Sequence, residues 1–435
     1  MVTGTLSRIQ FGISIGFHFI FPSLTLGLAL VILILEWRYL RSSEEETRKI
    51  SAFLIRIFGV VFSLGVATGV IMPFSFGSNW SRFSEFAGGV FGTTLMFEAV
   101  TAFMLESVFF GILMFGRKKV SKTVYFTSAL MVFIGSHLSA FWILSANSWM
   151  HSPAGFSIVD GKAVLTDMFK VVFNPTMVIR FIHTVNAAWL TGAVFAAGIA
   201  AILLKRGGRP KPILRLLALA TVIALVTSIA QPIIGHQQIM SVLRNEPEKD
   251  AAYEGIFKTV DGAPLIGFGI PDQKNRRIRF ALGIPKALSF LESGNFNSTV
   301  KGLEEYPEKE WPPVNVIFTT FHIMVPLAIV LLGIEVVAAF LLWKKKLEKN
   351  RLALTALSLA IPLPILANEL GWIGAETGRQ PWVVYKLLAT ADAFSPNLPA
   401  SSVVVSLAVF CLVYAALFAL FVALVRAIVR DGIRE

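Results

Sequence analysis

The chain has one cysteine, Cys411, in 435 residues. That excludes an intrachain disulfide, a Cys-x-x-Cys redox pair, an iron–sulfur cluster and a cysteine-ligated zinc site. Cys411 lies inside an apolar run, where a small packing residue is expected. Charge is also scarce. Asp, Glu, Lys and Arg make up 15% of the chain, against about 25% in soluble domains. With 55% hydrophobic residues, that shortage excludes an ordinary water-soluble core and makes lipid the solvent. There is no internal repeat and no low-complexity tract. The apolar runs also lack strand-like alternation, so helices are expected to cross the bilayer.

What is present is a series of nine apolar runs, near 10–36, 52–74, 93–115, 124–148, 176–204, 214–236, 315–343, 352–376 and 402–426. Each approaches or exceeds the roughly 20 residues that a span requires. The first is too long and too early for a cleaved signal and has no small-residue cleavage site, so it is expected to be retained. The fold expected is an all-α integral membrane protein of about nine transmembrane helices.

The net charge of +12 is concentrated in WRYLRSSEEETRK, GRKKVSK, KRGGRPKPILR, KKKLEKNR and the tail RAIVRDGIRE. These follow helices 1, 3, 5, 7 and 9, on one side of the bilayer if the helices alternate. By the positive-inside rule the C-terminus is cytoplasmic and the N-terminus external. The basic charge therefore orients the chain and calls for no nucleic-acid partner.

One segment interrupts the pattern. Between helices 6 and 7 lies a long external loop, 235–313, and residues 235–312 hold ten Lys/Arg and eleven Asp/Glu. Loops of this length are usually functional or disordered. The Ile, Phe, Leu and Tyr content favours a folded cap. The chain thus divides into six helices (1–234), the loop (235–313) and three helices (314–435). A shorter external segment, 74-FSFGSNWSRFSEFAGGVFG-92, carries aromatics suited to the interface.

Ionisable groups inside spans are costly, so each one points to function. His18 in SIGFHFIFPSL and His183 in RFIHTVNAAWL are each either packing histidines or ligands and proton carriers. Two such residues on different helices suit haem, whose axial ligands come from separate segments. Glu98 and Glu106 share one helix. Eight positions on an α-helix turn the chain to within about 80° and raise it ~12 Å, so the two carboxyls stack along one face like stations of a proton path.

Glu376, in 374-GAETGRQPW-382, can bind iron, take a proton or pair with Arg379 three residues on. Met324, in TFHIMVPL, is core filler or a soft haem ligand. His322 points about 200° away from it on a helix, so the two cannot reach one iron from the same face. His151 at a helix end and His236 at the start of the loop are weaker candidates. His137 and His151 have the spacing that holds stacked haems in bc-type cytochromes, but it occurs once where that fold needs it twice.

With these residues in hand, the chain resembles subunit I of cytochrome bd-type quinol oxidases over almost its whole length. The resemblance is carried by SRIQFGISIGFHF, PSLTLG, GSNWSRFSEF, FEAVTAFMLES, FWILSANSWM, HTVNAAWLTG, EKDAAYE and GWIGAETGRQPW. It implies that His18 ligates one high-spin haem of the oxygen-reducing pair and Glu376 the other. It implies that His183 and Met324 ligate a low-spin haem b. The cofactor set implied is that haem b, a high-spin haem b, and haem d or a third haem b. Lys249 and Glu254 match the loop pair implicated in quinol oxidation, with Glu254 as proton acceptor and Lys249 orienting the quinol. Glu98 and Glu106 match carboxylates on the proton route, and Trp372 an aromatic beside the haem pair. Arg379 would hold a haem edge or its propionates, which suits a guanidinium fork.

Two departures accompany the resemblance. The family's arginine two residues before the methionine ligand is His322 here, which would make the low-spin haem or quinol site pH-responsive. The loop is of the short kind, and some short-loop relatives are cyanide-insensitive and carry only b-type haem. The partners implied are subunit II, a small single-span subunit, ubiquinol or menaquinol, O2 and membrane lipid, in a bacterial or archaeal cytoplasmic membrane. The expected activity is oxidation of quinol outside and reduction of O2 to water, charge being separated without pumping. The rival classes are a proton-coupled transporter, a haem b-only electron-transfer subunit and a structural anchor.

Overall fold

The computed structural model describes residues 2–207 and 210–433. Gly208 and Arg209 of the segment KRGGRPKPILR, and Arg434 and Glu435 of the tail, lie outside the described residues.

Among the described residues nine helices are long and apolar enough to cross a membrane. In order they are span 1, Val2–Ser42; span 2, Glu45–Ser78; span 3, Ser81–Phe115; span 4, Lys122–His151; span 5, Met177–Lys205; span 6, Lys211–Asn245; span 7, Val314–Trp343; span 8, Arg351–Thr377; and span 9, Ala400–Asp431. Each expected run has its helix, but several boundaries move. Span 6 continues past position 236 to Asn245, so His236 belongs to it and the loop proper begins at Glu246. The segment 74–92 is largely helical. Span 2 ends at Ser78, and the chain turns at Asn79 and Trp80 before span 3 begins. Aromatic packing of Phe76, Phe83 and Phe91 in one cluster closes this turn. Span 8 is divided into Arg351–Ala360 and Pro362–Thr377, as expected where proline removes a backbone donor.

Spans 1, 2 and 5 are the most enclosed, while spans 3, 7 and 9 present mostly unburied apolar surface. Cys411 lies on such a surface of span 9 and is exposed, so it is not the packing residue expected from its apolar setting. Spans 1 and 5 cross at glycines. A Cβ on Gly27 would fall 2.3 Å from the Ala188 carbonyl oxygen, and one on Gly192 would fall 2.3 Å from the Gly27 carbonyl carbon. Between lipid-embedded helices, close backbone approach of this kind replaces the hydrophobic effect as the source of association. Gly192→Leu is therefore expected to prevent assembly rather than merely weaken it, because backbone lies on both sides. Overpacking alone costs about 1–3 kcal/mol where side chains can move. The yield of folded complex after detergent extraction checks this, and a wild-type yield would refute it.

The loop between spans 6 and 7 is a folded cap. It opens with a buried helix, Pro247–Glu254, that ends at Gly255, whose φ of 69° is the left-handed conformation a helix stop requires. Next comes an antiparallel pair, Leu265–Asp272 with Arg277–Ile284, then a short helix, Ala287–Ser293. The other paired strands are also short and confined to loops: Phe156–Val159 with Lys162–Leu165, Val260–Asp261 with Thr299–Val300, and Trp382–Val384 with Leu388–Ala389. Ala251, Ala252, Tyr253 and Phe257 pack with Val314 and Ile317 of span 7, which fixes the cap to the bundle. Tyr253 also reaches span 8, where a Cβ on Gly374 would fall 3.3 Å from its hydroxyl.

Candidate functional site: a buried charge junction under the loop

The loop helix Pro247–Glu254 buries four charged side chains, Glu248, Lys249, Asp250 and Glu254. A buried charge is tolerated only when paired or neutralised. On the face toward the bundle the solution is pairing. Lys249 Nζ lies 3.2 Å from Glu246 Oε2, which also lies 3.1 Å from Arg180 Nη2. The fully buried His151 places Nδ1 2.8 Å from Glu246 Oε1 and Nε2 3.3 Å from Glu376 Oε1. Asn147 Nδ2 donates to Glu376 Oε1 at 2.8 Å, and Arg379 Nη2 donates to Glu376 Oε2 at 2.7 Å. Gly378 leaves room for the lysine, since a Cβ there would sit 2.7 Å from Lys249 Cε.

The junction so formed joins spans 4, 5 and 8 to the loop. Burial opposes ionisation of Glu246, but His151, Lys249 and Arg180 outweigh it and hold the carboxyl well below the usual range. Burial brings the Lys249 ammonium down to about 8, with Glu246 working the other way. The ion pair is therefore formed at neutral pH. Arg180, Lys249 and Arg379 are three cations facing two carboxylates, Glu246 and Glu376. Arg379 Nε and Nη1 and Arg180 Nε are buried without partners. The junction thus has an excess of positive charge and free guanidinium donors.

The segment after span 8 is clamped from several directions. Thr390 N donates to Pro381 O at 2.8 Å, and Thr390 Oγ1 to Gln380 Oε1 at 2.7 Å. Tyr385 N donates to Met150 O at 2.8 Å and its hydroxyl to Glu248 Oε2 at 2.7 Å. The Gln-Pro-Trp stretch therefore sits between span 4 and the loop helix.

Glu98 and Glu106 both face span 4. Ser139 Oγ donates to Glu98 Oε1 at 2.7 Å, and Ser136 Oγ donates to Glu106 Oε1. The expected shared face is present, although the helix between them is not purely α. Glu98–Phe103 is a π-helical turn, a deformation often found at functional positions. Gly135 lets the helices approach, since a Cβ there would be 2.9 Å from Glu106 Cβ. Span 4 carries Ser136, Ser139, Asn147 and His151 within about 120° of its circumference. One helix face thus touches Glu106, Glu98, Glu376 and Glu246 in turn.

The other residues singled out from the sequence occupy separate positions. His18 Nδ1 lies 2.9 Å from Thr68 Oγ1, and the Thr68 hydroxyl donates to Leu64 O at 2.8 Å. The threonine proton is thus committed, so the imidazole proton sits on Nδ1 and Nε2 keeps its lone pair. His183 faces span 6, with both ring nitrogens 3.4 Å from Gln231 Nε2. Met324 packs on span 8, where a Cβ on Gly371 would fall 2.9 Å from its sulfur. Trp372, the next residue, is half-buried. Glu369 meets span 1, where a Cβ on Gly16 would lie 3.1 Å from its Oε2, close in sequence to His18. His322 places Nδ1 2.9 Å from Phe318 O and Nε2 2.7 Å from Ile266 O. Both nitrogens face carbonyl acceptors, of which a neutral ring donates to one, and the Ile266 contact joins the loop hairpin to span 7.

Sequence reasoning selected Glu376, Arg379 and Lys249, and the fold brings them together. It passed over His151, and did not consider Arg180, Glu246 or Asn147, which complete the junction. The polar spacing of Ser136, Ser139, Asn147 and His151 along span 4 was the available signal. His137 is satisfied structurally: Nδ1 bonds Phe133 O at 2.7 Å, and Trp189 Nε1 donates to Nε2 at 2.9 Å. That agrees with setting it aside. Lys249 turns into the junction, with its ammonium toward Glu246 and His151.

This architecture defines a polytopic helical membrane protein whose buried charge junction is sealed by a folded loop. Residues 6–433 match the family model described as cytochrome bd terminal oxidase subunit I. The chain is 36% identical to cytochrome bd ubiquinol oxidase subunit 1 of Bacillus subtilis (strain 168), over 93% of this chain and 89% of that one. It is 33% identical to cytochrome bd-II ubiquinol oxidase subunit 1 of Escherichia coli (strain K12), over 90% and 89%. The bd oxidase structure from Geobacillus thermodenitrificans superposes with a TM-score of 0.92 at 29% identity, covering 99% of both chains. The chain belongs to the cytochrome bd terminal oxidase subunit I family, and as a cytochrome it is a haem protein.

The residues present fit haem. The His18 ring has an open Nε2, and the ring lies against Gly69, where a Cβ would fall 3.0 Å from Cε1. The orphaned donors of Arg379 and Arg180 and the surplus cation call for an anion such as a propionate. Glu376 has three polar partners for its roughly four lone-pair sites, leaving room for one further bond.

Proposed function

We propose that this chain is the quinol-oxidising, oxygen-reducing subunit of a respiratory terminal oxidase, oriented with its loop and N-terminus outside and its C-terminus in the cytoplasm. The observation that carries the reading is the charge junction, in which the loop helix and the end of span 8 share one buried ion-pair network. A loop that oxidises a substrate and a bundle that reduces another need such a rigid connection.

His183 and Met324 would hold a low-spin haem b. His18 and Glu376 would hold the high-spin pair, made of a haem b with either haem d or a third haem b, and Trp372 would pack beside it. Bound haem supplies the one-electron steps and the oxygen chemistry. The chain's own residues do the rest. Arg379 and Arg180 offer donors to propionates, and Lys249 with Glu246 holds those arginines in register. Thr68 fixes the His18 tautomer, leaving Nε2 as the ligand atom.

Glu254 takes the quinol proton at the loop. It is 4% exposed, and burial followed by the nearby Glu292 carboxylate pushes it up to about 8, so it exchanges protons near neutrality. His322 acts indirectly, by fastening the loop hairpin. Protons for oxygen reduction enter from the cytoplasmic side by Glu106 and Glu98, with Ser136, Ser139 and Asn147 of span 4 marking the way to Glu376. The substrate is ubiquinol or menaquinol, the partners are subunit II and a small single-span subunit, and charge is separated without pumping.

The reduced-minus-oxidised absorption spectrum of the assembled complex tests this reading. B-type bands are expected, and a red chlorin band would identify haem d where its absence identifies the all-b form. His183→Ala and Met324→Leu are each expected to remove the low-spin b contribution and leave the high-spin bands. Assembled complex with no haem bands would overturn the ligand set.

A further inference from the structure

The loop helix has a second buried face, turned away from the junction. Asp250 and Glu254 lie one turn apart on it, both nearly enclosed, and Glu254 Oε2 has no hydrogen-bond partner. Just beyond, Ile256 packs in one apolar cluster with Leu288 of the short helix Ala287–Ser293. Leu288 and Glu292 are four residues apart and share a face of that helix, so Glu292 is turned toward the end of the loop helix. Its Oε1 is likewise enclosed without a partner, while the residue as a whole is only half-buried.

Glu292 is felt at the loop helix. Burial pushes Glu292 up to about 7, and the Glu292 charge adds to burial in raising both Glu254 and Asp250. No lysine or arginine contributes to the shift of either Glu254 or Glu292. The remaining titratable groups nearby are Tyr306, which senses Asp250, and His322 of span 7, whose ring nitrogens are held by carbonyls. Among the described residues no group of three or more His, Cys, Asp or Glu is arranged for a metal ion. Two unpaired carboxyls on elements packed together through Ile256 and Leu288 are placed to hand a proton from the enclosed side to the half-buried one by way of water.

We propose that Glu254 and Glu292 form a proton-sharing pair, by which the hydroxyl proton that quinol gives to Glu254 leaves through Glu292 to the outer surface. This rests on the reading of Glu254 as the quinol proton acceptor. In the first step a quinol O–H bond breaks and an O–H bond forms on the Glu254 carboxylate. In the second, that O–H breaks as one forms on Glu292, which then yields its proton to water. The electrons of quinol leave separately, to the oxidase's own acceptor. Glu292 does not touch the substrate. It is a positioning and relay residue that resets Glu254 after each turnover.

The test is oxygen consumption by the assembled complex across pH, with decylubiquinol and with menadiol as donors. Glu292→Gln is expected to lower kcat about tenfold, less than the roughly hundredfold or more lost with a group that itself takes the substrate proton, and to leave KM little changed. It is also expected to move the rising limb of the pH profile to lower pH, because a negative charge that raises Glu254 is gone. Glu292→Asp is expected to restore most of the rate. Dithionite-reduced spectra identical to wild type would show the haem sites intact in each variant. A Glu292→Gln profile superimposable on wild type, alongside an inactive Glu254→Gln, would overturn the relay and leave the acceptor reading standing. An active Glu254→Gln would overturn both. If Glu292→Gln does not assemble, the protonated-carboxyl infrared band of Glu292→Asp decides: a shift on quinol addition, relative to wild type, supports the pair, and an unmoved band refutes it.

Discussion

Replacing Glu376 with glutamine is expected to abolish oxygen reduction and to remove a high-spin component from the reduced spectrum. The carboxylate is tied to Asn147, His151 and Arg379, and Arg379 already has two guanidinium nitrogens without partners. Taking the charge away leaves the arginine enclosed with no counterion of its own. Removing one member of a buried pair costs about 3–5 kcal/mol. Glu376→Gln should therefore also reduce the amount of assembled complex. The double variant Glu376→Gln with Arg379→Gln separates the two effects. It should recover assembly, since no bare charge remains, without recovering oxygen consumption or the lost spectral component. Activity near wild type in the single variant would remove Glu376 from the iron-ligand set.

The second large effect is expected at Glu246, which is 1% exposed and balances Lys249, Arg180 and His151 at once. Glu246→Gln leaves those groups facing only Glu376, and a loss of about 3–5 kcal/mol is expected, by the same cost of an uncompensated buried charge. The pH dependence has a definite sign. The folded carboxyl titrates below its unfolded value, so its contribution is complete above the ordinary carboxylate range and is lost as pH falls through and below it. Thermal inactivation of wild type and Glu246→Gln should therefore differ most near neutral pH and converge in acid. A constant difference across that range would show that Glu246 contributes through shape and not through charge.

The sequence showed part of this junction and concealed the rest for a physical reason. Glu376 and Arg379 are three residues apart on a helix, so their pairing is local and was legible. Lys249 stood in a recognisable motif, but nothing local says which way it turns on a short helix whose charged residues are all buried. Glu246 looked like one more acidic residue of a near-neutral loop. Its importance appears only when span 6 runs on to Asn245 and delivers it beneath His151. Burial of polar groups at this point depends on the docking of Tyr253 against Val314 and Gly374 and of Lys249 against Gly378, contacts between residues far apart in the chain.

The same contrast holds for the carboxylates of span 3. Their common face followed from helical geometry, whereas the π-helical turn and the serines that receive them belong to the packing of spans 3 and 4. Cys411 shows the limit from the other direction. An apolar neighbourhood in sequence does not distinguish core from lipid-facing surface, because both are written in the same residues.

By itself the sequence determined the nine spans, the position of the long loop and the residue types available for chemistry. These follow from composition and local periodicity, which the cost of unpaired backbone in lipid makes decisive. Only the tertiary structure decided which charged groups meet, which remain without partners and which face outward. Those outcomes are set by close helix crossings such as Gly27 on Gly192 and by the seating of the loop, and no local rule encodes either.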